Sequence, residues 1–152
     1  MAELRRAHEA DAEAIHALLA TSFASFRPQY TLACFDATVL DAERVRRRIR
    51  EGPVWVVEGS DLIGTVGAKR DGDRLYVRGM AVHPEARGQG VGHRLLQRCE
   101  EHARVQGLSA MWLSTTTFLD ASQALYRRFG FEPCDGPADL CGTALVSFEK
   151  RL

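Results

Sequence analysis

Residues 80–96 read MAVHPEARGQGVGHRLL, and they are the most informative part of the sequence. An apolar strand is predicted to end at Val82, because Pro84 has no backbone N–H with which to continue a ladder. Alternate glycines then lead into a helix whose apolar residues recur every four positions from Val91. Glycine permits close approach of the backbone, and the first turn of a helix has free N–H groups with a partial positive charge. The stretch therefore predicts a loop and helix N-terminus that bind an anion such as a phosphate.

Two familiar nucleotide-binding patterns do not fit the glycines of this loop, which are Gly88, Gly90 and Gly92. A Walker loop requires Gly-Lys-Ser or Gly-Lys-Thr after its glycines, and the sequence has neither. A dinucleotide fold places Gly-x-Gly-x-x-Gly early in a βαβ unit, whereas this Gly-x-Gly-x-Gly comes past the middle of the chain. Both nucleotide interpretations are therefore rejected.

The rest of the chain predicts a regular order of strands and helices. The predicted elements are a strand at Leu4, a helix from Asp11 to about Phe26, an irregular stretch over 27–41, a helix over 41–50 capped by Asp41, strands over 54–58, 62–69 and 75–82, a helix to about 106, a strand over 110–114, a helix over 121–129 and a strand over 144–150. Short turns between the three middle strands indicate an antiparallel meander. The order β-α-α-β-β-β-α-β-α-β predicts an α/β fold with a mixed sheet, with residues 1–152 forming one domain.

Composition limits the classes of function. The 152 residues contain 20 acidic and 20 basic side chains, so the chain is neutral and has little long-range attraction for nucleic acid or an anionic membrane. The basic run over 44–50 is expected to be a solvated helix face, because no aromatic residues alternate with its arginines. No cysteine pair has zinc-site spacing, so no metal is expected. The N-terminus has no signal-peptide pattern and no segment is long enough to cross a bilayer, which predicts a cytoplasmic protein.

Two motifs together resemble the GCN5-related N-acetyltransferase (GNAT) family. The segment Arg87-x-x-Gly90-x-Gly92, preceded by Met80-Ala81-Val82 and Pro84, is similar to the pyrophosphate loop of that family. The segment LYRRFGFE over 125–132 is similar to its C-terminal Leu-Tyr-x-x-x-Gly-Phe motif, and the predicted order of elements matches along essentially the whole chain. The resemblance implies the GNAT fold with a splayed central strand pair, and transfer of an acetyl group from acetyl-CoA to an acceptor amine.

The resemblance also implies where acetyl-CoA binds. In the family, the strand corresponding to 75–82 splays away from the one corresponding to 110–114, and the pantetheine arm bonds the exposed backbone of the first strand. The expected cofactor contacts are Met80, Ala81 and Val82 for this arm, and Arg87, Gly88, Gln89, Gly90, Val91 and Gly92 for the pyrophosphate. The Arg87 side chain is expected either to contact phosphate or to brace the loop.

Tyr126 resembles the family tyrosine that faces the sulfur of CoA. A phenol with an ordinary pKa of about 10 can protonate the departing thiolate, so Tyr126 is the predicted general acid, and a tyrosine that merely packs in the core is the alternative. The Glu that many members use on the splayed strand is replaced by Tyr76. The proton of the acceptor amine could instead leave through a chain of water molecules or pass to Glu58. His83 lies close to the loop and is expected simply to end the strand.

The acceptor pocket is implied by the resemblance to lie near the first two helices and the C-terminal strands. Phe26, Tyr30 and Tyr76 are the predicted substrate-binding residues, and 133–142 is expected to be a loop close to them. A small amine, an amino acid, an antibiotic and a protein N-terminus all remain candidate acceptors. A non-catalytic acetyl-CoA-binding regulatory module is the alternative function, and a homodimer is left open.

Overall fold

A computed structural model describes residues 2–152, in which eight strands form a mixed sheet with five helices on its two faces. The helices are α1 Ala12–Phe23, α2 Leu32–Thr38, α3 Ala42–Glu51, α4 Val91–Val105 and α5 Asp120–Phe129. The strands are β1 Glu3–Arg6, β2 Val54–Glu58, β3 Leu62–Asp71, β4 Arg74–Val82, β5 Ala110–Thr116, β6 Glu132–Cys134, β7 Asp139–Leu140 and β8 Thr143–Arg151. The strand order is β1-β2-β3-β4-β5-β8-β6, and β7 pairs with β8. Within this described part, no helix combines the length and apolar character that a membrane span needs.

Strand β2 shows how the sequence divides the core between the two faces of the sheet. Val54 and Val56 belong to the cluster that packs against α1 and α3, whereas Trp55 and Val57 belong to the cluster under α4 and α5. Successive side chains of a strand point to opposite faces, so a run of apolar residues is buried on both sides. The predicted mixed sheet with helices on both faces is confirmed.

Strands β4 and β5 are neighbours for only a short distance. They pair in parallel where Arg74–Tyr76 lies beside Ala110–Trp112, although β4 continues to Val82 and β5 to Thr116. The predicted splay is therefore present. A bulge in β4 opposite Thr65 and Gly67 contains Gly79, whose φ of 65° is in the left-handed region that glycine tolerates.

The structure corrects the prediction in two places. The first helix ends at Phe23 and a 3₁₀ turn follows, and α2 occupies part of the stretch that was expected to be irregular; its cap is Thr31, whose hydroxyl accepts the N–H of Cys34. The segment over 133–142 is not simply a loop, because β6 and β7 each pair with β8. These strands have two or three residues, too few to give a periodic signal, and only their pairing with β8 defines them.

Candidate active site

Two adjacent cavities lie where β4 and β5 diverge. The first, of about 450 Å³, is lined by the end of β4, the glycine loop and the first turns of α4 and α5. The second, of about 150 Å³, lies between β4 and β5 and is also lined by residues of α3 and β8. Phe23, Met80, Leu119, Ser122 and Tyr126 line both cavities. A ligand in the first cavity could thus meet a ligand in the second beside these residues.

The glycine loop forms the part of the first cavity next to α4. Gly88 and Gly90 have φ values of 78° and 79°, and a Cβ atom at either would meet no heavy atom within 4 Å. Gly90 is the N-cap of α4, so the free N–H groups of the first turn lie beside this cavity. An open space next to left-handed backbone and a helix N-terminus fits the phosphates of a nucleotide-like ligand.

Gly92 lines the same cavity, but here a glycine is needed because neighbouring side chains leave no room for a Cβ atom. A Cβ atom there would lie 2.6 Å from Cδ2 of Leu125 and 3.1 Å from Cε of Met80. The absence of a side chain therefore lets the first turn of α4 approach α5 and β4 closely, which distinguishes Gly92 from Gly88 and Gly90.

Arg87 and Ser22 connect the loop to α1. Nη2 of Arg87 donates to the backbone carbonyl of Ser22 over 3.0 Å, and the hydroxyl of Ser22 donates to the carbonyl of Val82 over 3.3 Å. The Arg87 side chain thus braces the loop against α1, and its contact with phosphate stays a prediction. The sequence pattern did not indicate Ser22, since a serine beside the apolar stripe of an amphipathic helix carries no motif.

The edge of β4 beyond Tyr76 faces the splay. His83 donates its backbone N–H to Ile63 of β3 over 2.8 Å, while the carbonyl of the preceding Val82 accepts from Ser22 and not from β3. Because backbone groups alternate along a strand, those of Val82 face the opening. Met80, Ala81 and Val82 all line the first cavity.

Two of the predicted loop residues lie away from the cavities. The side-chain amide of Gln89 donates to the carbonyl of Glu85 over 3.3 Å, and Gln89 lines neither cavity. His83 accepts the N–H of Glu85 at Nδ1 over 3.1 Å, so it caps the turn that follows the strand. The Gln89 side chain is thus engaged by its own turn, and a cofactor contact for this residue stays a prediction.

Tyr126 lies at the junction of the two cavities. Its side chain is buried, its hydroxyl donates to Sδ of Met80 over 3.9 Å, and its ring packs against Phe131 and Phe148. Burial raises the pKa of Tyr126 above its ordinary value, so the phenol stays protonated at neutral pH. The tyrosine thus belongs to the core and also lines both cavities.

Four aromatic side chains contribute to the lining of the second cavity. Tyr30 packs edge-on against Phe118 with ring centroids 4.9 Å apart, and Tyr76 stacks on Trp112 with centroids 4.5 Å apart. Both tyrosines line the second cavity, whereas Phe26 lines the first. The three predicted substrate residues are therefore brought to one region but divided between its two compartments.

The structure removes one candidate base. Glu58 accepts from Nε of Arg5 over 3.0 Å and lines neither cavity, so it is not placed to receive a proton from an acceptor. No Asp, Glu or His lines the second cavity. Over residues 2–152, no three His, Cys, Asp or Glu side chains are grouped in a way that could hold a metal ion.

Arg48 departs from the solvated face that the arginine run predicted. It lies half-buried on α3 and lines the second cavity, whereas Arg47 and Arg50 on the same helix are exposed. Spacing alone could not single it out among five arginines in seven positions.

Sequence comparison identifies relatives for part of the chain. The profile described as the acetyltransferase (GNAT) family matches residues 12–131. An IAA acetyltransferase of Azospirillum brasilense is 43% identical over 68 residues, which cover 45% of this chain and 44% of that protein. A probable N-acetyltransferase camello of Xenopus laevis is 31% identical over 107 residues, which cover 68% of this chain and 49% of that protein. The chain thus spans about half the length of the curated relatives it matches.

Structural comparison extends the likeness to the whole chain. The PaiA N-acetyltransferase of Thermoplasma acidophilum, solved in complex with coenzyme A, superimposes with a TM-score of 0.85 at 17% identity, covering 100% of this chain and 99% of that one. At this identity the likeness shows the shared fold. With a family profile that spans residues 12–131 and a fold shared from end to end, the chain belongs to the acetyltransferase (GNAT) family.

Proposed function

We propose that the protein transfers the acetyl group of acetyl-CoA to the nitrogen of an acceptor amine. The observation that carries the proposal is the position of Tyr126, whose side chain lines both the large cavity beside the glycine loop and the small cavity between the splayed strands. Membership of the family and the coenzyme A complex of the Thermoplasma protein support acetyl-CoA as the cosubstrate.

The residues of the first cavity fit coenzyme A. Its amide-bearing arm would lie along the open edge of β4 at Met80, Ala81 and Val82, as an added strand does. Its pyrophosphate would meet the backbone N–H groups over 87–92, where left-handed glycines leave space and α4 begins. Arg87 would act indirectly there, because its guanidinium holds the loop against α1.

The reaction needs one proton donor and one route for a proton to leave. The acceptor nitrogen attacks the thioester carbon, the C–N bond forms, the C–S bond breaks, and the departing sulfur takes the proton of the Tyr126 phenol. The nitrogen loses a proton, which returns Tyr126 to its neutral form through water, since no carboxylate or imidazole lines the second cavity. Tyr126 is thus the proposed general acid.

The experiment is a transfer assay with a panel of amines. Purified protein is incubated with acetyl-CoA and each amine, free thiol is measured, and the acetylated product is identified by its mass. Acetylated product with an equal amount of thiol supports the proposal. A non-catalytic binding module would bind acetyl-CoA in calorimetry and release no thiol with any acceptor.

A further inference from the structure

Arg48 differs from the other arginines of α3 in its surroundings. Arg44, Arg46 and Arg50 each pair with at least one carboxylate, and Arg47, which is in no ion pair among residues 2–152, is exposed to solvent. Arg48 lines the second cavity, and none of the ion pairs within residues 2–152 includes it. A half-buried cation without a counter-ion is costly, so a site that keeps one has a use for it.

Two glycines make room for the Arg48 side chain on the sheet. A Cβ atom on Gly67 would lie 3.6 Å from Cδ of Arg48, and one on Gly79 would lie 2.6 Å from its Nη1. The arginine stem therefore crosses β3, and the guanidinium lies over the bulge of β4. The bulge places the charge at the edge where β4 leaves β5, which is where the second cavity opens.

The charges that line the second cavity are all positive. Arg78 is the other charged residue of its lining, and no Asp, Glu or His lies there. Arg78 pairs with Glu51 over 3.0 Å, and its buried Nε has no hydrogen-bond partner among residues 2–152. Burial and the neighbouring Arg78 lower the pKa of Arg48 to about 10, which leaves it protonated at neutral pH. The cavity thus offers one unpaired guanidinium and a second one that is partly satisfied.

We infer that the acceptor is an amine that also carries a carboxylate, as an amino acid does, and that Arg48 binds this carboxylate. The inference rests on the proposed acetyl transfer and names the substrate class for it. A guanidinium binds a carboxylate through two parallel hydrogen bonds, which fixes the orientation of the ligand as well as its position. Tyr30 and Tyr76 in the same cavity supply apolar contact for the remainder of the acceptor. We expect polycationic amines to be poor acceptors, because both charged residues that line this cavity are cationic.

The test compares acceptors that differ only in the carboxylate. Each common L-amino acid is assayed with acetyl-CoA beside its carboxamide and its decarboxylated amine, and thiol release and product mass are followed. The free acids are expected to have kcat/KM values roughly 10- to 100-fold higher, as for one lost hydrogen-bonded ion pair. The carboxamide has the more acidic ammonium group, so a preference for the acid cannot come from amine ionisation. Faster transfer to the carboxamides or simple amines would overturn the inference and leave acetyl transfer standing, whereas no transfer in any series would contradict both.

Substitution of Arg48 assigns the preference to this residue. Arg48→Met is expected to raise KM for the free acid by roughly 10- to 100-fold and to leave KM for the carboxamide nearly unchanged. For Arg48→Lys, KM for the free acid should lie between those of the unaltered protein and Arg48→Met, because lysine keeps the charge without the planar guanidinium. Arg47→Met removes the same charge from the exposed face of α3 and is the matched control. Equal losses on acid and carboxamide in Arg48→Met would overturn the assignment. Should Arg48→Met fail to fold, Arg48→Lys and the acid preference of the unaltered protein decide the question.

Discussion

Nη2 of Arg87 lies 3.0 Å from the backbone carbonyl of Ser22, so the arginine of the glycine loop bonds the last turn of α1. The hydroxyl of the same serine bonds the carbonyl of Val82 at the end of β4. One residue of α1 therefore connects both parts of the proposed cofactor site. The loop is held by its own protein contacts before any ligand arrives, and such pre-organisation lowers the cost of binding.

Removal of this brace should weaken coenzyme A binding. Arg87→Met deletes a charge-assisted hydrogen bond, and we expect the Kd for coenzyme A to rise roughly 10-fold because the loop must be ordered by the ligand itself. Isothermal titration calorimetry measures the effect. Arg94→Met is the matched control, since Arg94 also donates to a backbone carbonyl, that of Ala2, from the neighbouring helix. An equal Kd in both variants would show that the brace has no role in binding.

The open space beside Gly90 is proposed to hold the pyrophosphate. A side chain placed there should therefore reduce coenzyme A affinity as well as stability. Gly90→Val places a side chain in left-handed backbone, which costs on the order of 1–3 kcal/mol of stability, and fills a region that is open in the protein. Gly107→Val imposes the same strain, at a φ of 70° and again with nothing within 4 Å, but at the far end of α4. Both variants should unfold at lower temperature, and only Gly90→Val should lose affinity for coenzyme A in calorimetry. Normal affinity in folded Gly90→Val would contradict the placement of the pyrophosphate.

The sequence predicted those features that depend on local pattern. The turn at Gly72, the cap at Asp41 and the glycine loop each need only a few neighbouring residues, and Asp41 does accept the N–H of Arg44. The alternation along β2 likewise follows from burial on two faces, which a run of β-branched and aromatic residues indicates. The splay between β4 and β5 came from the family resemblance.

The features that the sequence did not predict depend on distant contacts. Ser22 and Val82 are sixty residues apart and meet only after the sheet has formed. Arg48 lies in a run of arginines with similar local environments, and the glycines that accommodate it belong to β3 and β4. Glu58 was a candidate base by its position on a neighbouring strand, but it pairs with Arg5 on β1 and lines neither cavity. Local pattern cannot rank residues whose roles are set by tertiary contacts.

Alkaline pH should destabilise the protein through Tyr30. Burial raises the pKa of Tyr30 to about 12, whereas a tyrosine in the unfolded chain ionises near pH 10. Between these pH values the unfolded state loses the proton first. The contribution of neutral Tyr30 to the free energy of unfolding is therefore fully present below about pH 10 and is lost as the pH rises to about 12. Over this range the titration of Tyr30 should lower the free energy of unfolding by about 1.4 kcal/mol per pH unit.

Urea denaturation at several pH values measures this slope. In Tyr30→Phe the free energy of unfolding should fall less steeply between about pH 10 and pH 12, because one titrating group has been removed. Tyr126 is also buried with a raised pKa, so part of the slope should remain in that variant. Identical slopes for the variant and the unaltered protein would contradict the assigned burial of the Tyr30 hydroxyl.

Loss of the Tyr126 hydroxyl should reduce turnover far more than binding. Tyr126→Phe keeps the ring contacts with Phe131 and Phe148 and deletes only the group that faces Met80. A positioned general acid typically contributes ~10²–10⁴-fold, so kcat should fall by that factor while the Kd for acetyl-CoA changes little. Single-turnover measurements with a saturating acceptor isolate the chemical step, and calorimetry gives the binding constant. If Tyr126 serves only to pack the core, the variant would instead lose some thermal stability and retain its rate, which would remove the general acid from the mechanism.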